Sequence, residues 1–334
     1  MQPIDSEMAE TGGAAGRRTP REPLLSIVFY FIKPAEFLND AISTVVSQQT
    51  DETELIVVAG HSPGEELGIA PAFVSRIDRL IAEPDRGGWD AANKGWRAAQ
   101  GSWIQFVMSD DRLPPGSVAQ TLEALHHEEA DLASGGLTFF AADSSRERPI
   151  RIVPARELTL ERVLGDLCAP SLLFRRRLLQ RMDGFDGRYP YAHDRELLLR
   201  AWLAGTRHAR LSHEVYRMRV HAGSRTTSWN ATVLLAYLNE HLAFADRLLL
   251  EPGLPPARRR QLQRWRDEEF AKRWLLRSYA RVPPSAQVPA KAARPSLPRL
   301  AGAFIRLAAR RLLRAIRDPR GALARPVNSG FGPA

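Results

Sequence analysis

Four short apolar runs, at residues 24–32, 54–59, 77–82 and 103–108, punctuate the first third of the chain. Each is too short for an ordinary helix and is bounded by Gly, Pro or charged residues, as a buried strand should be. Between the first two, residues 34–48 place Phe37, Ala41, Ile42, Val45 and Val46 on one helical face, and residues 89–99 form a second short helix before the fourth run. A strand, a helix and a strand of these lengths make a βαβ unit with parallel pairing. The chain is thereby held to an α/β architecture whose strand carboxyl ends lie along one edge, where ligands gather in open sheets. Further on, the pattern predicts a helix at 114–129, strands at 131–140 and 150–153 flanking a polar loop, a short helix at 158–164, and a pair of short strands within 206–220.

The densest stretch is 82–114. A turn rich in charge and glycine, Glu83 to Gly88, leads into a helix carrying Asp90, Asn93 and Lys94, and the strand 103–108 then delivers Ser109, Asp110 and Asp111 at its carboxyl end. Two adjacent carboxylates there suit a hard divalent cation, which prefers oxygen ligands and shares itself with substrate phosphates. Asp-Asp is equally at home in a solvated turn. The linked segments E-P-D-R-G-x-x-D-A-x-N-K-G, x-x-A-x-G-x-W-I and S-D-D-x-L-P resemble the family 2 glycosyltransferases, and the resemblance runs through residues 24–230.

That resemblance implies a GT-A fold, a Rossmann-like mixed sheet flanked by helices, here with a C-terminal α-helical appendage. It implies transfer of a sugar, with inversion, from a nucleotide-diphospho-sugar donor to a hydroxyl of a glycan or lipid-linked acceptor, with Mn²⁺ or Mg²⁺ as cofactor. Asp110 and Asp111, with His221, are the implied metal ligands. Asp85, Arg86, Asp90, Asn93, Lys94, Asp111 and Arg225 are implied at the nucleotide sugar. In the segment Ala192-His193-Asp194-Arg195-Glu196, Asp194 is the implied base, with Glu196 beside it. Each has a plainer alternative: capping for Asp90 and Asn93, the helix dipole for Asp194 and Glu196, an ordinary loop position for His221. The chain also departs from the family pattern. Ala59-Gly60-His61-Ser62 stands where an acid usually follows the second strand, Phe31-Ile32-Lys33-Pro34 ends the first strand, and Met108 lies two residues before Asp110. These departures favour a rival reading, a non-catalytic nucleotide-sugar or glycan-binding relative held at a membrane by its basic tail. A nucleotidyltransferase is disfavoured because no Gly-rich loop follows the first strand.

Composition divides the chain. Residues 257–325 hold 19 Lys and Arg against 4 Asp and Glu, whereas the rest holds 28 against 34, so the net charge of +9 belongs to the tail. The pattern predicts a disordered leader at 1–22 without the apolar core of a signal peptide, a catalytic domain at 23–230, a helical extension at 231–281, a Pro/Ala linker at 282–296 and a basic amphipathic helix with its tail at 297–334. In the helix 297–317, Leu300, Phe304, Ile305, Ala308, Leu312 and Ile316 share a face, with Arg306, Arg310, Arg314 and Arg317 along the opposite edge. Such a helix either lies in an anionic membrane surface or docks on the protein's own core with a solvated basic face. Nucleic acid is disfavoured, since no recognised binding motif accompanies the charge. The single cysteine, Cys168, excludes a disulfide framework and reads as a small buried hydrophobe in a reducing compartment. The implied setting is cytoplasmic, peripheral at the inner membrane face.

Overall fold

The computed structural model describes residues 22–32, 36–61, 66–141, 148–153, 155, 158–164, 169–221, 231–279 and 295–317. The predicted leader up to residue 21, most of the predicted linker, Cys168 and Arg225 lie outside them. In chain order the elements are β1 (Leu25–Phe31), α1 (Leu38–Val46), β2 (Thr53–Ala59), α2 (Pro71–Val74), β3 (Arg79–Ala82), α3 (Gly88–Ala98), β4 (Trp103–Met108), α4 (Ser117–His126), β5 (Leu132–Ala141), β6 (Arg148–Val153), α5 (Leu160–Leu164), β7 (Leu172–Arg175), α6 (Arg176–Arg181), α7 (His193–Leu203), β8 (His208–Val220), α8 (Ala231–Leu249), α9 (Pro256–Tyr279) and α10 (Leu297–Arg317).

The strands form one eight-stranded mixed sheet in the order β3-β2-β1-β4-β7-β5-β6, with β8 also paired to β5. The first four strands are mutually parallel, β7 is antiparallel to both β4 and β5, and β8 runs parallel to β5. The apolar runs were unbroken because both faces are covered: Val28, Ile56, Ile104 and Phe106 face one core layer with α3 and α7, while Ile27, Phe29, Val57 and Val107 face another with α1 and α4. α1 follows the helical period, burying Leu38, Ala41, Ile42 and Val45. Each such side chain contributes about 1.5–3 kcal/mol relative to exposure.

One element corrects the sequence expectation. Residues 208–220 form a single long strand, β8, rather than two short ones, because register shifts opposite Gly135 and Gly136 let it follow β5 along its whole length. A Cβ on Gly135 would lie 2.2 Å from a methyl of Val215, so glycine there permits the close approach. Beyond the sheet, α8 and α9 pack together around a fully buried pair in which His241 Nδ1 lies 2.7 Å from Glu269. Burial pushes His241 down to about 4 against the attraction of Glu269. α10 lies on α9, with Arg299 reaching Asp267 and Arg306 reaching Glu268.

Candidate active site

The carboxyl end of β4 releases the turn Ser109-Asp110-Asp111, and β8 fastens that turn in place. Arg112 and Arg217 exchange backbone hydrogen bonds of 2.9 and 2.8 Å. The Arg219 N–H donates to Asp111 Oδ1 at 2.8 Å, and the Tyr216 hydroxyl donates to Asp111 Oδ2 at 2.8 Å while accepting from the Met108 N–H. Both Asp111 oxygens are therefore committed inside the core, and the residue is 1 % exposed. Burial and the Asp110 charge push its pKa well up, against the pull of these hydrogen bonds. Among the expected metal and nucleotide ligands, Asp111 thus stands apart from Asp110: its carboxyl braces the turn from below.

Asp110 faces the other way. It is partly exposed, and its Oδ2 lies 3.2 Å from Nε2 of His221, the residue just after β8. Beneath the pair, Arg219 Nε donates to the Asp110 carbonyl at 2.8 Å, while the guanidinium bonds Asp40 of α1 and lies between the rings of Phe37 and Phe140, at 4.2 and 4.8 Å. Phe37 also meets the His221 ring edge-on at 5.0 Å. Sequence reasoning missed Asp40, Tyr216 and Arg219; the only trace was the alternation of polar and apolar positions along β8. A divalent cation that shares itself with substrate phosphates needs few protein ligands, and the Asp110 carboxylate with the His221 imidazole fits that use. Among the described residues, no group of three or more His, Cys, Asp or Glu side chains forms a closed metal cage.

The turn between β3 and α3 carries the next residues. Asp85 Oδ1 accepts from the Gly87 N–H at 2.9 Å, while its buried Oδ2 has no hydrogen-bond partner among the described residues. That oxygen hangs over Gly60 at the end of β2, where an added Cβ would lie 2.1 Å away. Arg86 donates to Asp90 from its backbone and its guanidinium, at 3.1 and 3.0 Å, and stacks over Trp89. Lys94 reaches the Pro84 carbonyl at 2.7 Å and lies 3.2 Å from Glu83. Burial raises the Asp90 pKa, but the Arg86 bonds and the Lys94 charge outweigh it and leave the value lowered. Arg86, Asp90 and Lys94 thus hold the turn that presents Asp85. Asn93 also stands apart from the other expected nucleotide ligands. Its amide donates to the Phe185 carbonyl at 2.7 Å and accepts from the Phe185 and Trp96 N–H groups at 2.9 Å, so it is buried and fully occupied. Gly184, at φ 64°, lets the chain pass over it; a Cβ there would be 2.3 Å from Asn93 Oδ1.

On the same core layer, edge contacts from Phe106 to Phe185 (5.3 Å) and from Phe185 to His193 (5.5 Å) bring the start of α7 beside the end of β4. Asp194 is in the first turn of α7, half-buried, and accepts from the Arg195 N–H at 2.7 Å. Glu196, in contrast, is fully buried: Arg200 grips both its oxygens at 2.8–2.9 Å and Arg247 of α8 adds a further bond. The expectation of Glu196 at the reacting centre is therefore corrected, because its carboxylate ties α7 to α8 in the core.

The sequence profile of Glycosyl transferase family 2 matches residues 26–183, a span that runs from β1 through α6, includes Asp85 and Asp110-Asp111, and ends before α7. Residues 26–183 carry a Glycosyl transferase family 2 domain. A Mycobacterium bovis PGL/p-HBAD biosynthesis glycosyltransferase is 27 % identical over 185 residues, covering 54 % of this chain and 70 % of the relative. The uncharacterized glycosyltransferase EpsJ of Bacillus subtilis is 25 % identical, covering 61 % and 63 %. Among solved structures, S. aureus TarS in complex with UDP-GlcNAc superposes with a TM-score of 0.55 at 18 % identity, covering 84 % of this chain and 79 % of that one. The mannosyltransferase PcManGT from Pyrobaculum calidifontis, in complex with GDP-Man and Mn²⁺, gives a TM-score of 0.51 at 16 % identity, covering 90 % and 82 %. These likenesses establish the GT-A fold of the glycosyltransferase.

Proposed function

We propose that this glycosyltransferase moves a sugar, with inversion, from a nucleoside-diphosphate donor to a hydroxyl of a glycan or lipid-linked acceptor, with Asp110 and His221 holding a divalent cation at the donor diphosphate. The observation that carries the reading is the Asp110–His221 pair at the carboxyl end of β4, on a turn braced by Arg219 and the buried Asp111. The donors seen in TarS and in PcManGT, and the Mn²⁺ of the latter, support the same chemistry here. Bound there, Mn²⁺ or Mg²⁺ supplies Lewis acidity toward the departing diphosphate.

Asp85 supplies what the sequence lacks after β2. Its unpartnered Oδ2 hangs over Gly60, beside the position where Ala59 replaces the usual acid, and is an acceptor ready for a donor group of the nucleotide. A buried carboxylate oxygen without a partner is destabilising until something donates to it. On the acceptor side, Asp194 takes the proton of the attacking hydroxyl as its oxygen bonds to the anomeric carbon, and the bond from that carbon to the diphosphate oxygen breaks on the opposite face. The products are the inverted glycoside and a nucleoside diphosphate. The protein works at the cytoplasmic face of an anionic membrane, toward which the basic C-terminal helices point by composition.

The test is a panel of nucleotide sugars with Mn²⁺, read as release of free nucleoside diphosphate by mass spectrometry. Release from one donor, abolished by chelation and by Asp110→Ala, is the expected result. Undiminished release from Asp110→Ala would overturn the assignment of the metal site.

A further inference from the structure

α10 packs on α9 through two arginines and part of its apolar side. Arg299 Nε and Nη2 reach the two Asp267 oxygens at 2.9 and 2.7 Å, and Arg306 Nε reaches Glu268 at 2.7 Å, both acids being buried in α9. Ala303, between the two arginines, is fully buried. Leu300 and Phe304 are partly covered, while a second apolar strip of the helix faces out. Leu297, Ala301, Ile305 and Ala308, spaced to form one stripe, are all exposed, Leu297 at 82 % and Ile305 at 68 %. The sequence continues the same period through Leu312, Ala315 and Ile316, and adds Arg310, Arg311, Arg314 and Arg317.

Next to this stripe lies a cavity of about 310 Å³ lined by Phe270, Arg273, Trp274, Arg277 and Ser278 of α9. It adjoins α10 through Trp274, which is half-exposed and meets Phe304 edge-on at 5.7 Å. No acid lines the cavity, and the buried Arg273 Nε has no hydrogen-bond partner among the described residues. Burial and the neighbouring Arg277 charge hold Arg273 below the usual guanidinium value. An anion placed between the two arginines would satisfy the donor and relieve the repulsion.

We propose that the α9–α10 face docks on an anionic bilayer, the Leu297–Ala301–Ile305–Ala308 stripe entering the acyl boundary while Arg273 and Arg277 hold a phospholipid phosphate. An exposed apolar stripe flanked by arginines matches the apolar and anionic layers of such a surface in turn. A second copy of the chain fits poorly, because pairing two of these faces would oppose two strongly basic segments. Among the described residues no helix is long and apolar enough to cross a membrane, so the contact is interfacial. The proposal deepens the membrane setting given above and stands apart from the catalytic assignments, since it is read without turnover.

The test is co-sedimentation of the full chain with vesicles of equal phosphatidylglycerol and phosphatidylcholine, against vesicles of phosphatidylcholine alone. Binding to the anionic vesicles that weakens with added salt is expected. Ile305→Asp and the double variant Arg273→Gln/Arg277→Gln should each bind about tenfold more weakly, with melting temperatures at the wild-type value. Equal binding by Ile305→Asp, or equal binding to both vesicle types, overturns the proposal. So does a dimer in analytical ultracentrifugation that Ile305→Asp dissociates without any vesicle binding by the wild type. Should a variant fail to fold, the wild-type chain decides: bromine-labelled acyl chains should quench its tryptophan emission, and absence of quenching overturns insertion.

Discussion

The acidic pair that ends β4 and the pair that opens α7 are divided in the same manner. In each, one carboxylate is locked into the core, Asp111 at 1 % exposure and Glu196 at 0 %, while its neighbour, Asp110 or Asp194, stays at the cleft. The locking differs in kind. Glu196 meets two guanidinium groups, Arg200 and Arg247. Asp111 meets a tyrosine hydroxyl and a backbone N–H, both neutral, because the Arg219 guanidinium is directed to Asp40 and the Asp110 carbonyl. The comparison teaches that adjacent acids in a glycosyltransferase segment need not share a job: one builds the platform and the other stands on it.

The largest expected effect belongs to the outward member of the α7 pair. Asp194→Asn, which removes the base, should lower kcat/KM by about 10²–10⁴, with melting temperature and donor binding unchanged; turnover near wild type would dissolve the contrast between the two acids. Asp110→Asn should follow at about a hundredfold or more. Its diagnostic is the loss of the extra thermal stabilisation that Mn²⁺ and a nucleoside diphosphate give together to the wild type. Stabilisation of the variant equal to that of the wild type would remove Asp110 from the metal site.

The inward member of the α7 pair should behave oppositely. Glu196→Gln leaves Arg200 and Arg247 without their counter-charge in a buried setting, a loss of about 3–5 kcal/mol in stability, or roughly 10 °C in melting temperature for a domain of this size. Activity per folded molecule should be retained. A variant that melts normally and yet fails to transfer would exchange the roles of Asp194 and Glu196. Asn93→Ala belongs to the same group at a smaller scale, about 1–3 kcal/mol, since it orphans the Phe185 backbone.

These distinctions mark how far the sequence could be read. Its strands were legible because burial on both faces leaves an unbroken apolar run, and β4 falls at the expected 103–108. The turn before α3, the end of β4 and the start of α7 were legible as acidic segments. Individual duties were not, because they depend on partners far along the chain. Asn93 and Glu196 look like ligands until Phe185 and Arg247 arrive, 92 and 51 residues away. Arg219 looks like a solvated strand residue until Asp40, 179 residues away, closes on it. The single course of β8 was hidden for a related reason, since the glycines that admit it belong to β5.

The smallest effect, and the most discriminating, is at Asp111. Its pKa is raised in the folded chain above the ordinary 3.8, chiefly by burial and then by Asp110. The folded state therefore holds this proton more tightly than the unfolded one, so the associated stability is complete below about pH 4 and is lost as pH climbs through the raised folded value. Asparagine cannot ionise, yet keeps an acceptor for the Arg219 N–H and a polar group for Tyr216. Asp111→Asn should thus lie within about 1 kcal/mol of wild type near neutrality. Urea unfolding at pH values rising from 4 should show the variant gaining on the wild type. If the wild type instead gains on Asp111→Asn as pH rises, the fold favours the ionised form of Asp111, and the contrast with Glu196 is lost.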